Sequence, residues 1–258
     1  MQLQDSLPDL QKRGLGLAAI SYDSPETLRA FAQQRGITYP LLSDKGSATI
    51  KRYNILNTSA SGRTEGIPHP GTFVIDRRGV VVSRSFEERY QERTSASSLA
   101  LTPKDPPPPD AQRVETQHLV LTWWASDAAV APGTRVSLLL DVQPKPKMHV
   151  YAPGQQDLIP VSLTIEPVEG VRLHKPEYPK PERYFFAPLK ETQLVYSNPF
   201  KIRQEMTIEV TPAMRARAKE PNASVTISGT LRYQACDDNV CYMPQSIPVS
   251  WSVKLQAK

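Results

Sequence analysis

Hydrophobic and polar positions follow two regimes along the chain. Up to about residue 100, helical and strand spacings alternate. Residues 2–13 read as the end of an amphipathic helix and residues 16–22 as a buried strand. Ser24 then stands as an N-cap with Pro25 at the first helical position, and Leu28, Phe31 and Ala32 recur at helical spacing toward Gly36. That pattern predicts a βα unit. A short helix over residues 48–53 follows, and residues 71–76, 77–79 and 80–84 read as strand, turn and strand. The first region is therefore expected to be α/β, ending in a hairpin.

From about residue 113 the helical patterns nearly vanish. Residues 114–125, 135–142, 161–166, 200–210, 224–233 and 245–255 read as strands separated by Pro and Gly turns, a pattern that predicts an all-β sandwich. Alternation places Val225, Ile227, Leu231 and Tyr233 on one face of a single strand. Trp123 and Trp124 are adjacent, so a strand turns them to opposite faces, and one is expected in the core. Between the regimes lies Leu101-Thr-Pro-Lys-Asp-Pro-Pro-Pro-Pro-Asp110, whose consecutive prolines favour an extended, semi-rigid spacer. The predicted division is a first domain over residues 1–100, a Pro-rich linker over 101–112 and a second domain over 113–258.

Composition narrows the function. The chain has 258 residues, enough for about two domains. Its 39% hydrophobic and 22% charged residues describe a globular protein, with no apolar run of the roughly 20 residues a membrane span needs. The net charge of +5 comes from scattered Lys and Arg, which argues against nucleic acid as a partner. His69, His118, His149 and His174 stand at no metal-ligand spacing, so no metal and no cofactor is expected. Gly-rich phosphate loops, the Gly-x-Ser-x-Gly elbow and the His-Glu-x-x-His helix are all missing from the sequence. The first residues show no secretory signal pattern.

The chemistry concentrates in the two cysteines, Cys236 and Cys241, within Tyr233-Gln-Ala-Cys-Asp-Asp-Asn-Val-Cys-Tyr-Met-Pro244. If Asp238 and Asn239 form a two-residue hairpin loop, Asp237 pairs with Val240 and Cys236 faces Cys241, within reach of a disulfide. Such a bond could be a staple or a reagent. A loop of about six residues gains only roughly 2 kcal/mol from closure, and a sandwich of this size can fold without it. Asp237 and Asp238 are either turn formers or carboxylates that disfavour a nearby thiolate.

Two resemblances bear on this choice. Leu17-Ala-Ala-Ile-Ser-Tyr-Asp23, Tyr39-Pro-Leu-Leu-Ser-Asp44 and Ile67-Pro-His-Pro-Gly-Thr-Phe-Val-Ile-Asp76 resemble the thioredoxin-like redoxins of the peroxiredoxin (AhpC/TSA) type, over roughly residues 1–95. The resemblance implies an incomplete thioredoxin-like domain, with Pro70 at the family's cis-proline position and His69 before it. The family's reactive cysteine has no counterpart, because no cysteine precedes residue 236. With nothing left to tune, His69 is expected to be structural. Met1 is expected to be an internal methionine of a longer protein carrying a signal peptide and a Cys-x-x-Cys-like motif; a naturally cysteine-free relative is the rival explanation.

The cysteine segment, together with His149-Val-Tyr-Ala-Pro153 and Lys190-Glu-Thr-Gln-Leu-Val-Tyr196, is similar to the N-terminal, immunoglobulin-like domain of the thiol:disulfide interchange protein DsbD, over roughly residues 112–256. This implies a redox-active Cys236–Cys241 pair in a periplasmic or otherwise extracytoplasmic space. Its partners would be a thioredoxin-like protein or domain and the disulfides of substrate proteins. It also implies an aromatic cap in residues 182–188, with Tyr184, Phe185 and Phe186 as cap candidates and Tyr151 as support. The expected function is thiol–disulfide exchange, with Cys241 as the attacking sulfur. The alternatives are a non-catalytic interaction module with a permanent disulfide, and a fragment of a peroxiredoxin-like antioxidant protein.

Overall fold

The computed structural model describes residues 2–86, 89, 91–102, 104–186 and 190–257. Two compact units emerge, residues 1–100 and residues 101–258.

The first unit opens with α1 (Gln2–Lys12), β1 (Ala19–Ser21), α2 (Pro25–Arg35), β2 (Leu41–Ser43) and α3 (Ala48–Arg52). It continues through β3 (Gly71–Ile75), β4 (Val81–Phe86), β5 (Arg93–Thr94) and α4 (Ala96–Ala100). The capping signals around α2 act as their chemistry dictates. Ser24 Oγ accepts from the Thr27 amide at 3.3 Å, and Gly36 ends the helix at φ 62°, a left-handed conformation that glycine adopts without a Cβ penalty. β1 and β2 form a parallel pair, and β3 and β4 a separate antiparallel pair. The Asp76 carboxylate closes the β3–β4 turn by accepting from the Arg78 and Val80 amides at 2.9 Å.

Two expectations for this unit need correction. The strand predicted over residues 16–22 shrinks to three residues and is not buried, because among the described residues β1 pairs with β2 alone and Ile20 stays exposed. The His69–Pro70 bond is trans. Trans is the lower-energy isomer by roughly 0.5–1 kcal/mol, and the extended path here is already set by the His69 amide donating to the Ile55 carbonyl at 2.7 Å. Residues 96–100, for which the sequence pattern sets no expectation, form α4, which buries Ala96 and Ala100 against Leu10 of α1.

The second unit begins with β6 (Gln112–Glu115), β7 (Leu119–Ala125), β8 (Ala129–Val130), β9 (Thr134–Pro144) and β10 (His149–Tyr151). Next come β11 (Ser162–Ile165), β12 (Val171–Leu173), β13 (Glu182–Phe186), β14 (Glu191–Tyr196) and β15 (Phe200–Ile208). The unit ends with α5 (Pro212–Arg217), β16 (Ser224–Tyr233), β17 (Ala235–Cys236) and β18 (Gln245–Leu255). One sheet runs in the order β12-β15-β9-β7-β6, and a second in the order β11-β16-β18-β8. Leu121, Leu138, Leu140 and Ile202 from the first meet Val225, Ile227, Leu231 and Trp251 from the second in one continuous core. This is a β-sandwich. The mid-strand Gly229 has a steric reason: a Cβ there would lie 2.6 Å from the Thr164 carbonyl oxygen of β11.

The strand predicted over residues 114–125 is instead a hairpin, β6 and β7, because the Thr116 hydroxyl accepts from the His118 and Leu119 amides and turns the chain. Trp123 joins the main core, and Trp124 is also buried, its carbonyl accepting from the Trp251 indole at 3.1 Å. The short helix α5, capped by the Thr211 hydroxyl, interrupts a region expected to be all strand.

Candidate functional site

A third sheet of the second unit, in the order β13-β14-β10-β17, carries the cysteines. Its two faces differ. Val150, Tyr196 and Ala235 face the sandwich core, whereas Tyr151, Val195 and Cys236 form a smaller cluster on the other side, with Tyr184 and Leu158 packed against it. The pairing register produces this division: His149 lies opposite Cys236, Val150 opposite Ala235 and Tyr196, and Tyr151 opposite Val195. Directly opposed residues share a face, so His149, Tyr151 and Cys236 lie together.

The cysteine hairpin is built by Asp237. Its Oδ1 accepts from the Asn239 amide at 2.8 Å and the Val240 amide at 2.7 Å, and its own amide donates to the Val240 carbonyl at 2.9 Å. Asp238 and Asn239 are thus the loop. The Tyr242 amide donates to the Ala235 carbonyl at 2.9 Å on the other side of the pair. Cys236 and Cys241 face one another between these bonds, Cα atoms 4.1 Å apart, and are joined as a disulfide.

The two sulfurs have unequal surroundings. Cys236 is 1% exposed, whereas Cys241 is an exposed residue at the hairpin edge. The Tyr151 hydroxyl lies 2.9 Å from Cys236 Sγ and 3.2 Å from Cys241 Sγ. A disulfide has no hydrogen to give, so the hydroxyl is the donor. Burial raises the Tyr151 pKa, which keeps that hydroxyl protonated.

Tyr184 reaches the hairpin from β13. Its hydroxyl donates to Asp238 Oδ1 at 2.9 Å, and that bond raises its pKa. Its ring packs on His149, centroids 4.8 Å apart. Of the other cap candidates, Phe185 alternates to the opposite face and is 61% exposed, and Phe186 returns to the Tyr184 face at the end of β13. The remainder of the predicted cap, Ala187 and Pro188, lies outside the described residues. Pro70 and His69 belong to the first unit, where His69 lines an open cleft with Tyr53, Phe73, Arg84 and Phe86.

His149 was not singled out by the sequence as a site residue. It is 3% exposed, and its Nε2 is buried without a hydrogen-bond partner. Burial lowers its pKa, opposed by the charges of Asp238 and Asp237. Tyr242 also escaped notice. Its hydroxyl donates to Asp237 Oδ2 at 2.9 Å, and its ring packs on His118 with centroids 4.5 Å apart. The Asn239 and Val240 amides, and then this hydroxyl, hold the Asp237 carboxyl below the usual carboxylate range. Among the described residues no group of acids, histidines and cysteines forms a metal site.

Comparisons with known proteins match two separate stretches of the chain. The AhpC/TSA family matches residues 1–84, and the family described as "Thiol:disulfide interchange protein DsbD, N-terminal" matches residues 116–250. Alkyl hydroperoxide reductase E of Mycobacterium tuberculosis (strain ATCC 25618 / H37Rv) is 39% identical over 107 residues, covering 39% of this chain and 67% of that protein. Peroxiredoxin Bcp of Escherichia coli (strain K12) is 31% identical over 80 residues, covering 31% of this chain and 51% of that protein. Among solved structures, the N-terminal periplasmic domain of ScsB from Proteus mirabilis aligns at 17% identity with a TM-score of 0.35, over 56% of this chain and 49% of that one. The DsbD N-terminal domain of Neisseria meningitidis in the reduced form aligns at 16% identity with a TM-score of 0.31, over 46% of this chain and 82% of that one. The chain thus spans about two thirds of the mycobacterial protein and about half of Bcp and of the ScsB structure.

Proposed function

We propose that this chain, which belongs over residues 116–250 to the family of the DsbD N-terminal domain and over residues 1–84 to the AhpC/TSA family, transfers electrons by thiol–disulfide exchange through Cys236 and Cys241. The observation that carries this reading is the Tyr151 hydroxyl shared between the two sulfurs. A donor aimed at sulfur stabilises the negative charge that develops there when the S–S bond breaks.

The unequal exposure of the cysteines supports different roles for them in this scheme. Cys241 is the sulfur a partner can reach, so it forms the mixed disulfide. Cys236, buried beside Tyr151, is the leaving or resolving sulfur. Tyr184 is the cap, hydrogen-bonded to Asp238 across the hairpin, and Tyr151 the support. Phe185 contributes apolar surface for a docking partner, and Phe186 completes the β13 strand that presents it. The partners are a thioredoxin-like protein or domain on one side and substrate protein disulfides on the other. The working domains are residues 1–100 and 113–258, joined by the Pro-rich stretch 101–112. A disulfide-forming pair of this family suits a periplasmic or other extracytoplasmic space. Thiol peroxidase chemistry by the AhpC/TSA part would need a cysteine, and residues 1–100 contain none.

A redox titration of the full chain in glutathione or dithiothreitol buffers tests this. A midpoint within the roughly −120 to −270 mV of catalytic exchangers is the expected result, and a value below about −300 mV would mark a permanent disulfide in an interaction module.

A further inference from the structure

We propose that His149 is the base that removes the proton from Cys236 when Cys236 attacks the mixed disulfide on Cys241. The proposal rests on the exchange function argued above and adds a residue to it.

Resolution requires Cys236 to act as a thiolate. Cys236 is 1% exposed, so its proton cannot pass directly to bulk water. An acceptor must therefore lie on the same face. Tyr151, on the same strand as His149, has its hydroxyl as donor to the sulfurs, and burial holds it protonated. Tyr184, from β13, is committed through its hydroxyl to Asp238. Asp237 accepts from two amides and from the Tyr242 hydroxyl, and Asp238 accepts from Tyr184. Cys241 is itself the sulfur under attack. His149 remains, directly opposite Cys236 in the β10–β17 register.

Its state suits the task. Burial keeps the imidazole neutral in the neutral pH range, and its buried Nε2 has no hydrogen-bond partner in the disulfide form. An unpaired buried polar group is costly to maintain and calls for an explanation. Reduction creates a thiol hydrogen on the residue directly opposite it in the register. The Asp237 and Asp238 charges, which favour the protonated ring, stabilise the imidazolium once it forms.

The step balances as follows. The Cys236 S–H bond breaks, and the proton moves to the imidazole. The Cys236 sulfur forms the S–S bond to Cys241 Sγ, the bond from Cys241 Sγ to the partner sulfur breaks, and its electron pair leaves with the partner thiolate. The imidazolium returns its proton to that thiolate or to water. Cys236 and Cys241 are oxidised by two electrons, and the partner disulfide is reduced by two.

Stopped-flow reaction of the reduced full chain with 5,5′-dithiobis(2-nitrobenzoate) between pH 5 and 9 separates the stages. The first release of thionitrobenzoate reports attack by Cys241, and the second reports resolution by Cys236. In the wild type the second rate is expected to rise through a pKa below about 6.5 and level off. In His149→Phe it should fall by about a hundredfold and rise instead through the thiol range near pH 8.5. His149→Gln, which keeps a polar side chain, is expected to match His149→Phe and decides the question should the Phe variant fail to fold. Variants whose second phase keeps the wild-type rate and pH profile would overturn the role of His149 while leaving exchange intact. A wild type that cannot be reduced, or that shows no second release, would remove the exchange function and the base together.

Discussion

Residues 1–100 and residues 101–258 both contain strands rich in branched apolar residues, yet they bury them to very different degrees. In the first unit Ile20, Leu42, Ile75, Val80, Val81 and Val82 are exposed. In the second, apolar side chains from two facing sheets meet in one core. The difference follows from layering. A strand pair buries a face only where another layer covers it, and each pair of the first unit stands as a two-stranded ladder. Exposure therefore means different things in the two regions. In the first it extends across both ladders. In the second, among the described residues, the exposed large apolar side chains are Phe185 on β13 and Val240 and Met243 around the cysteine hairpin.

Substitutions can break this contrast at its strongest point. Trp251→Ala should destabilise the second unit by about 3–5 kcal/mol, because Trp251 is a fully buried member of its core. Val82→Ala should change the first unit by no more than about 0.5 kcal/mol, because Val82 is 59% exposed. Denaturant melts followed by tryptophan fluorescence for the second unit and far-UV circular dichroism for the whole chain would show it. Equal costs would mean that the valine is covered in solution.

A smaller effect separates the core from the disulfide. Replacing both cysteines by serine should lower the stability of the second unit by about 2 kcal/mol and leave its cooperative transition intact. Complete unfolding of the variant would show the bond to be a principal support of the sandwich. Next come the helix caps, where the two units should behave alike. Ser24→Ala and Thr211→Ala each remove a hydroxyl that accepts a helix amide, and each should cost about 1 kcal/mol. A cap depends on local geometry and not on the size of the surrounding core.

The smallest effect is a difference in acid sensitivity. Burial, aided by the charge of Lys145, lowers the pKa of His118 in the second unit. Its contribution to stability is present above the unfolded value of about 6.5 and is lost as pH falls through the lower folded value, because the unfolded chain then binds the extra proton. In the first unit the Thr49 amide, together with the Ile50 amide, lowers the pKa of Asp44. That contribution is present above the unfolded value of about 3.9 and is lost only in more acid solution. Thermal melts against pH should show the second unit responding first, and His118→Phe should reduce that early response, leaving the part that comes from His149, whose pKa burial also lowers.

What the sequence revealed follows the range of its signals. The Asp237 turn, the α2 caps and the face formed by Val225, Ile227, Leu231 and Tyr233 all depend on neighbours within a few residues, and all were readable. The third sheet was not. β10 and β17 are too short to express a period, and their pairing brings together residues more than 80 positions apart. His149 remained hidden for that reason. Nothing local distinguishes it from an ordinary core histidine until Cys236 is placed opposite. Tyr151, Tyr184 and the cap stretch came from resemblance to a family, whereas the alternation that sends Phe185 away from Tyr184 comes from strand geometry.

The Asp237 turn has one further consequence. Its hydrogen bonds owe nothing to sulfur: two amides and a tyrosine hydroxyl bind its carboxylate, and its own amide binds the Val240 carbonyl. The hairpin is thus held in shape by a clamp that oxidation and reduction do not touch. Breaking the S–S bond removes none of these hydrogen bonds, so reduction of the pair is expected to leave the outline of the loop in place. A protein that tells the two forms apart would then have to sense the sulfurs themselves.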